Sequence, residues 1–215
     1  MPVEIFWYGH SCFRLRGREA AVVTDPYDES IGCQLPQSLR ADILTISHEH
    51  PDHCNSRAVK GKPKVISGPG EYEINGVFIT GISTYHDKKR GQLRGKNTIY
   101  LIEFEDLRAC HLGDLGHIPS QAQVEALSDV ELLFIPVGGG PTINAAEATE
   151  VVSLLEPKIV IPMHYGTRAI KLGLDPVTKF LKAMGSDKIE RLESLKASRS
   201  SLPEETQVVL LEQKE

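Results

Sequence analysis

Six consecutive residues, His48 to His53, read His-Glu-His-Pro-Asp-His and constrain this chain more than any other feature. They follow Asp42–Ser47 (DILTIS), an apolar run typical of a buried strand. His48 and His50 are two residues apart, so in extended backbone their rings point the same way. With Asp52 and His53 the segment offers four donors, more than one zinc ion needs if a position stays open for water. A lone histidine is usually a hydrogen-bonded structural residue, but this cluster predicts a site for two metal ions.

The residues after this motif predict a helix over Pro51–Lys60, because proline is typical of the first helical position. Asp52 and His53 would then lie in the first helical turn. The helix dipole disfavours an imidazolium there, which would keep His53 neutral and able to bind a metal.

The rest of the chain predicts an α/β (α+β) fold of two packed sheets faced by helices. Short apolar runs separated by turn signals indicate about eleven strands. Capping-box patterns at Ser120 with Gln123 and at Asn144 with Glu147 indicate helix starts, and Asp175-Pro176 precedes a further helix over Val177–Met184. We expect a single domain over residues 1–215, in which the polar residues 186–215 form a C-terminal extension packed on it.

Charge and cysteine content exclude several classes of protein. The chain has 24 Lys and Arg against 29 Asp and Glu, a net charge of −5, whereas a non-specific nucleic-acid binder usually has a basic surplus. The longest uncharged run, Leu132 to Ala146, contains prolines and glycines and is too short to span a bilayer. The N-terminus lacks a basic region typical of signal peptides, and the four cysteines form no C-x-x-C pair. We expect a soluble, cytoplasmic protein that binds no nucleic acid.

The segment ISHEHPDH resembles the signature of the metallo-β-lactamase superfamily, and later segments resemble its other motifs in the same order. These segments are TYHD at 84–87, HLGD at 111–114 and IPMHY at 161–165. The opening YGHSCF (8–13) and TDP (24–26) are similar to a branch that includes ascorbate-6-phosphate lactonase and N-acylphosphatidylethanolamine phospholipase D. The resemblance covers roughly residues 3–170 and implies a four-layer αββα sandwich.

The same resemblance implies the ligand set. His48, His50 and His86 would hold the first metal, Asp52, His53 and His164 the second, and Asp114 would bridge both. Such a shared carboxylate can hold two cations about 3.5 to 4 Å apart. Nitrogen and oxygen donors suit zinc, with manganese or iron as alternatives. An aspartate where some members carry cysteine argues against the thiolate-dependent β-lactamase class.

The implied function is a dinuclear metal-dependent hydrolase in which a metal-bridging hydroxide attacks a small anionic ester, lactone or phosphodiester. Asp52 and Asp114 are the candidate catalytic residues, Asp52 because it could return a proton to the leaving group. The serine-nucleophile motif G-x-S-x-G is absent. A metal-stabilised binding or regulatory module and a di-iron redox enzyme are the alternatives. The sequence leaves the substrate, the native metal and the oligomeric state open, a homo-oligomer included.

Several residues near these motifs have two interpretations. His10 follows a strand and either supports the ligands or contacts substrate. Asp25 either orients a ligand histidine or ends a turn. His111 competes with His86 for the third motif, but positions 111 and 114 face opposite sides of a strand, which favours a packing role. Tyr165 either donates to a developing oxyanion or packs in the core. His117 is predicted to be a solvated loop residue.

The segment HDKKRGQLRGK (residues 86–96), which we call the basic loop, begins at a presumed ligand. Its cations include Lys88, Lys89 and Arg90. A solvated surface loop is one interpretation. The other is a flexible lid hinged at Gly91 and Gly95 that attracts anionic substrates.

Overall fold

Two packed β-sheets form the centre of the fold. A computed structural model of the chain describes residues 1–104, 107–170, 172–186 and 189–214. The strands of the first sheet are β1 (Val3–Gly9), β2 (Cys12–Arg16), β3 (Ala21–Thr24), β4 (Ile43–Thr45), β5 (Lys64–Ile66) and β13 (Leu195–Ala197). Their order is β13-β1-β2-β3-β4-β5. β1 to β3 run antiparallel, while β4 and β5 continue parallel to β3.

The second sheet has seven strands and also mixes both orientations. They are β6 (Gly70–Ile74), β7 (Val77–Tyr85), β8 (Lys96–Phe104), β9 (Leu107–His111), β10 (Leu132–Pro136), β11 (Ile159–Met163) and β14 (Gln207–Val208). Their order is β14-β11-β10-β9-β8-β7-β6. β6 to β9 form an antiparallel meander, and β9, β10, β11 and β14 are parallel.

Three α-helices accompany the sheets in the described residues: α1 (Gln121–Ala126), α2 (Ala145–Leu155) and α3 (Val177–Ala183). The predicted capping boxes are present at the starts of α1 and α2. α2 connects the parallel strands β10 and β11 and buries Val151 and Leu155 in the same apolar cluster as those strands. No helix of the described chain is long and apolar enough to cross a membrane.

The main core lies between the two sheets. Phe13 of β2 and Phe134 of β10 meet there with ring centroids 4.5 Å apart. A second apolar cluster covers the outer face of the first sheet and includes Tyr8, Tyr27 and Ile31. The segment over that face contains two 3₁₀ helices, Glu29–Ile31 and Ser56–Ala58. The predicted sandwich of two sheets and flanking layers is confirmed, with short 3₁₀ turns in the layer outside the first sheet.

The predicted helix over Pro51–Lys60 is wrong. Residues 51–53 form a turn in which the His53 amide donates to the His50 carbonyl at 2.9 Å. The Asn55 amide then donates to the Pro26 carbonyl at 2.7 Å, so this backbone is held by the neighbouring loop. A long-range partner has replaced the helical hydrogen bond that the proline pattern suggested.

The C-terminal segment is built into the sheets. Within residues 186–215, positions 187, 188 and 215 lie outside the described residues. β13 pairs with β1 at one edge of the first sheet, and β14 pairs with β11 at one edge of the second. β12 (Arg191–Leu192) and β15 (Leu210–Leu211) form a separate two-stranded sheet. Polar composition hid β12 and β13 from sequence reasoning, whereas the run Gln207–Leu211, which contains β14 and β15, is typical of a strand.

Strand direction decides where the loops of interest meet. β1 and β3 are both antiparallel to β2, and β4 is parallel to β3, so these three strands share one direction. β7 and β9 are both antiparallel to β8. β10 is parallel to β9, and β11 is parallel to β10, so β7, β9 and β11 also share one direction. Strands of one direction bring their carboxyl ends to one edge of a sheet, where α/β proteins commonly bind ligands. Six of the candidate site residues follow the carboxyl ends of these strands: His10, Asp25, His48, His86, Asp114 and His164.

Phe134 tests the packing between the sheets. It is 0% exposed, whereas Phe78 on β7 is 53% exposed. We expect Phe134→Ala to lower the free energy of unfolding by about 3–5 kcal/mol, because it leaves a cavity between the sheets. Phe78→Ala should change it by no more than about 0.5 kcal/mol. Urea denaturation measures both, and equal losses would contradict the placement of the core.

Candidate metal centre

A buried carboxylate stands at the centre of the site. Asp114 is 2% exposed and follows β9. His86 Nε2 and His164 Nε2 each lie 3.2 Å from its Oδ2 atom, and His53 Nε2 lies 3.3 Å from its Oδ1 atom. His48 Nε2 is 3.9 Å from Oδ2. One carboxylate is therefore in reach of four histidines from three different loops.

The other candidate ligands form two clusters beside Asp114. Donor atoms within each cluster lie within 4.8 Å of one another. The first cluster consists of His48, His50 and His86, and the second consists of Asp52, His53, His164 and His10. The structure thus brings together all seven residues that the sequence proposed as ligands, and it adds His10 to the second group.

Unsatisfied polar atoms show that these residues fit a cation. His48 Nε2, His86 Nε2 and Asp114 Oδ1 are buried and have no hydrogen-bond partner among the described residues. Burying such an atom without a partner costs about 1–3 kcal/mol. His86 Nε2 approaches Asp114 Oδ2 without hydrogen-bond geometry, an arrangement that a shared ion would explain. Imidazole and carboxylate donors together suit zinc, manganese or iron.

Asp25 orients two of the histidines. Its carboxylate accepts hydrogen bonds from the Ser47 amide at 2.8 Å, from the Ser47 hydroxyl at 2.5 Å and from His53 Nδ1 at 2.9 Å. The Ser47 Oγ atom also lies 2.9 Å from His48 Nδ1. Partners of this kind fix the ring orientation of ligand histidines and leave Nε2 facing the metal. Of the two interpretations of Asp25, the structure therefore favours the one in which it orients candidate ligand histidines.

Asn97, which sequence reasoning missed, holds the backbone beside Asp114. This β8 side chain is 1% exposed. Its Oδ1 accepts from the Asp114 amide at 2.9 Å, and its Nδ2 donates to Thr84 Oγ1 at 2.8 Å and to the Leu112 carbonyl at 2.9 Å. Asparagine is unfavourable within strands, and that was the only available signal. A Cβ on Gly113 would lie 2.4 Å from Asn97 Oδ1, so this close approach requires glycine.

Three site residues have a backbone conformation that ordinary side chains rarely adopt. The φ angles are +51° at His10, +37° at Asp25 and +51° at His164. Such conformations cost about 1–3 kcal/mol each and persist only where the surrounding structure imposes them. Gly138 packs against one of these positions, because a Cβ there would lie 2.2 Å from the His164 carbonyl oxygen.

The electrostatics favour positive charge at the centre. Burial alone would raise the pKa of Asp114, but His164 and His53 hold it well below its ordinary value. Burial would lower the pKa of His53, yet Asp114 and Asp25 together hold it well above its ordinary value. The helix N-terminus predicted at His53 is absent, and two carboxylates act on this ring in place of the expected dipole. Burial and the neighbouring His53 lower the pKa of His48 to about 3.

Asp52 lies on the open side of the centre. Asp52 and His50 are half-buried, whereas the other candidate ligands are buried. Burial alone would raise the pKa of Asp52, but the hydrogen bond from His10 and the charge of His53 hold it below its ordinary value. The carboxylate is thus ionised at neutral pH. It can therefore bind a cation or accept a proton.

His111, His117 and Tyr165 serve the framework. His111 Nε2 donates to the Ser11 carbonyl at 2.9 Å, and its Nδ1 accepts from the Gly113 amide at 3.2 Å. The prediction of a solvated His117 is wrong: it is half-buried, accepts from the Tyr85 amide and donates to the Ile118 carbonyl. The Tyr165 ring packs 5.3 Å from Trp7, and its hydroxyl accepts from Arg191.

The basic loop is held together by one carboxylate. Asp87 accepts hydrogen bonds of 2.7–3.0 Å from the backbone amides of Lys89, Gly91, Leu93 and Arg94. Lys88 forms an ion pair with Glu147 of α2. Lys88, Lys89 and Arg90 are exposed directly after His86. This hydrogen-bonded loop keeps its cations in place beside the first cluster.

Asp25→Asn tests the role of Asp25 in orienting the histidines. The amide cannot accept from both Ser47 and His53 in the same way, so we expect roughly 10- to 100-fold weaker zinc binding. Competition against a chelator of known affinity measures the change. Asp28→Asn is the control, because Asp28 caps a 3₁₀ helix and asparagine caps equally well. Equal zinc affinity in Asp25→Asn and the wild type would refute this role.

Asp87→Ala tests the loop. The backbone amides that donate to Asp87 lower the pKa of its carboxyl group, although burial acts in the opposite direction. The stabilising effect of Asp87 therefore requires the ionised carboxylate. We expect a lower Tm for the variant at pH 7. The difference from wild type should be complete above about pH 4, the ordinary aspartate pKa, and should shrink as pH falls through the lowered value. A difference that grows on acidification would contradict this account.

Comparisons with known proteins agree with this geometry. Residues 4–164 match the family model described as a beta-lactamase superfamily domain. A UPF0173 protein of Pyrococcus furiosus is 31% identical over 77% of this chain and 84% of its own length. A UPF0173 metal-dependent hydrolase of Thermoplasma acidophilum is 27% identical over the same shares.

A solved structure from Thermotoga maritima extends the comparison to nearly the whole chain. That protein is named as a candidate Zn-dependent hydrolase of the metallo-beta-lactamase superfamily and is 41% identical. The TM-score is 0.81, and the match covers 97% of this chain and 98% of the other. The motifs, the fold and these similarities together show that the chain belongs to the metallo-β-lactamase superfamily and, within it, to the UPF0173 family.

Proposed function

We propose that the protein is a dinuclear metal-dependent hydrolase and that residues 1–215 form its single domain. The observation that carries the proposal is the pair of donor clusters on either side of one buried carboxylate, Asp114. The names of two relatives support it, since one is called a metal-dependent hydrolase and the other a candidate Zn-dependent hydrolase. We assign His48, His50 and His86 to one ion, Asp52, His53 and His164 to the other, and Asp114 to both.

Two bound divalent ions would supply Lewis acidity and a water molecule whose pKa falls toward neutrality. The chain supplies the geometry for this chemistry. Asp25 and Ser47 hold His53 and His48 in one orientation, and Asn97 fixes the backbone of Asp114. The ionised Asp52 carboxylate lies on the open side, where it can accept a proton from an incoming water.

The proposed substrate is a small anionic ester, lactone or phosphodiester. Exposed cations of the basic loop follow His86 directly and would attract an anion despite the net charge of −5. The similarity of YGHSCF and TDP to the lactonase and phospholipase D branch favours the same substrates. Zinc is the proposed metal because imidazoles dominate the donor set, and manganese and iron are the alternatives.

Asp114→Asn tests the proposal. We expect the wild type purified without added metal to carry two divalent ions per chain and to hydrolyse members of a panel of lactones, phosphodiesters and carboxylic esters. The variant should lose at least one ion, and turnover should fall by more than about 100-fold, because losing a ligand exceeds the 10- to 100-fold effect of losing its hydrogen-bond partner. Plasma mass spectrometry and single-substrate assays measure the two effects.

Asp129→Asn is the matched control, because that carboxylate is 87% exposed and remote from the donor clusters. Wild-type turnover in Asp114→Asn would refute the hydrolase assignment. Two ions per chain without turnover on any of the substrates would favour the metal-stabilised binding module. Bound iron with oxygen-dependent activity would favour the redox alternative.

A further inference from the structure

One histidine outside the proposed ligand set points into the second donor cluster. His10 follows β1 and is 0% exposed. Its Nε2 atom lies 3.2 Å from His53 Nε2 and 3.3 Å from Asp52 Oδ2. Its ring centroid is 4.3 Å from that of His164 and 4.8 Å from that of His53. His10 therefore contacts every residue proposed for the second ion alone.

The backbone of His10 is fixed in an unusual conformation. Its φ angle is +51°. Its carbonyl accepts from the Trp7 indole at 3.0 Å and from the His164 amide at 3.2 Å, so the β1–β2 turn is bound to the loop after β11. These contacts hold the imidazole inside the centre at the cost of backbone strain. Packing alone would not require a histidine in this conformation.

The hydrogen bonding of His10 Nδ1 matches that of two proposed ligands, His86 and His164. Its Nδ1 atom is buried with no partner among the described residues, and the same is true of Nδ1 in His86 and His164. His111 is equally buried but uses both ring nitrogens in hydrogen bonds to the backbone. A buried histidine with a purely structural role is expected to satisfy both nitrogens, as His111 does.

The distances fit ligands that share one ion. With metal–nitrogen bonds of about 2.0–2.1 Å, neighbouring ligand atoms around a tetrahedral ion lie about 3.3 Å apart. The two separations of His10 Nε2, 3.2 and 3.3 Å, agree with that spacing. His53 Nε2 lies 3.6 Å from Asp52 Oδ2 and 3.3 Å from Asp114 Oδ1, and it belongs to the same group of donor atoms as His10 Nε2.

We propose that His10 is a direct ligand of the second metal ion, through Nε2. The inference rests on the proposed dinuclear centre. The second ion then has donors from His10, Asp52, His53, His164 and the shared Asp114, one more than the first ion has. Five donors exceed the four of a tetrahedral zinc site, so a zinc ion here would be five-coordinate, and manganese or iron would accommodate the same donor set.

The variants His10→Gly and His10→Asn test this assignment, because both residues tolerate a positive φ angle and should fold without new strain. After zinc loading and dialysis against a weak chelator, we expect two ions per chain in the wild type and one in each variant. Added imidazole should restore the second ion in His10→Gly. His117→Asn, which removes a histidine outside both clusters, should keep two ions. Plasma mass spectrometry gives the stoichiometry.

A crystal structure of the zinc-loaded wild type completes the test. His10 Nε2 within about 2.0–2.3 Å of the second ion supports the proposal. The proposal is overturned if His10 Nε2 stays more than about 3 Å from the ion and bonded to Asp52, or if the variants retain both ions with wild-type affinity. Two ions and full hydrolysis with a distant His10 would refute only this inference. A wild type that binds fewer than two ions would refute the dinuclear centre as well.

Discussion

The charge of one buried carboxylate organises the site. Asp114 is almost fully buried, and a lone ionised group in that position would be too costly to keep unless cations surrounded it. Histidines from three loops provide that environment, and their own unsatisfied nitrogens create the same need for positive charge. Asn97 and Gly113 hold the Asp114 backbone where the carboxylate reaches all of these rings. Much of the polar structure around the centre follows from this requirement.

Rigid sheets make the arrangement possible. The strands that lead into the site run in one direction within each sheet, so their carboxyl ends lie at one edge of the sandwich. At His10, Asp25 and His164 the segments that follow these strands take up left-handed backbone conformations. Such strain is tolerated because packed strands on both sides determine where each loop begins and ends. A flexible scaffold would relax it and move the donors apart.

Hydrogen bonding separates the histidines of this chain into two kinds. His111 and His117 use both ring nitrogens within the protein and so hold the framework together. His10 and His86 leave a buried nitrogen without a partner while the other nitrogen points into the centre. Spacing along the chain cannot reveal this difference, because it depends on which backbone groups lie within reach after folding. For the same reason the sequence motifs did not identify His10 as a ligand.

The sequence by itself determined the candidate donor residues of the centre and the class of the fold. The run His48 to His53 and the later TYHD, HLGD and IPMHY segments identified the residues that the structure brings together, and the capping residues located α1 and α2. The fold and capping predictions are confirmed because apolar periodicity and capping act over a few neighbouring residues.

Tertiary structure alone decided the rest. The expected helix at Pro51 gave way to a turn, and the Asn55 amide that follows it bonds to the distant Pro26 carbonyl. Similar contacts account for three further features. Asn97 holds the backbone of Asp114, Asp87 holds the basic loop together, and His10 lies in the second cluster. Contacts between residues far apart in the chain exist only once both sheets have formed, so local sequence patterns carry no record of them.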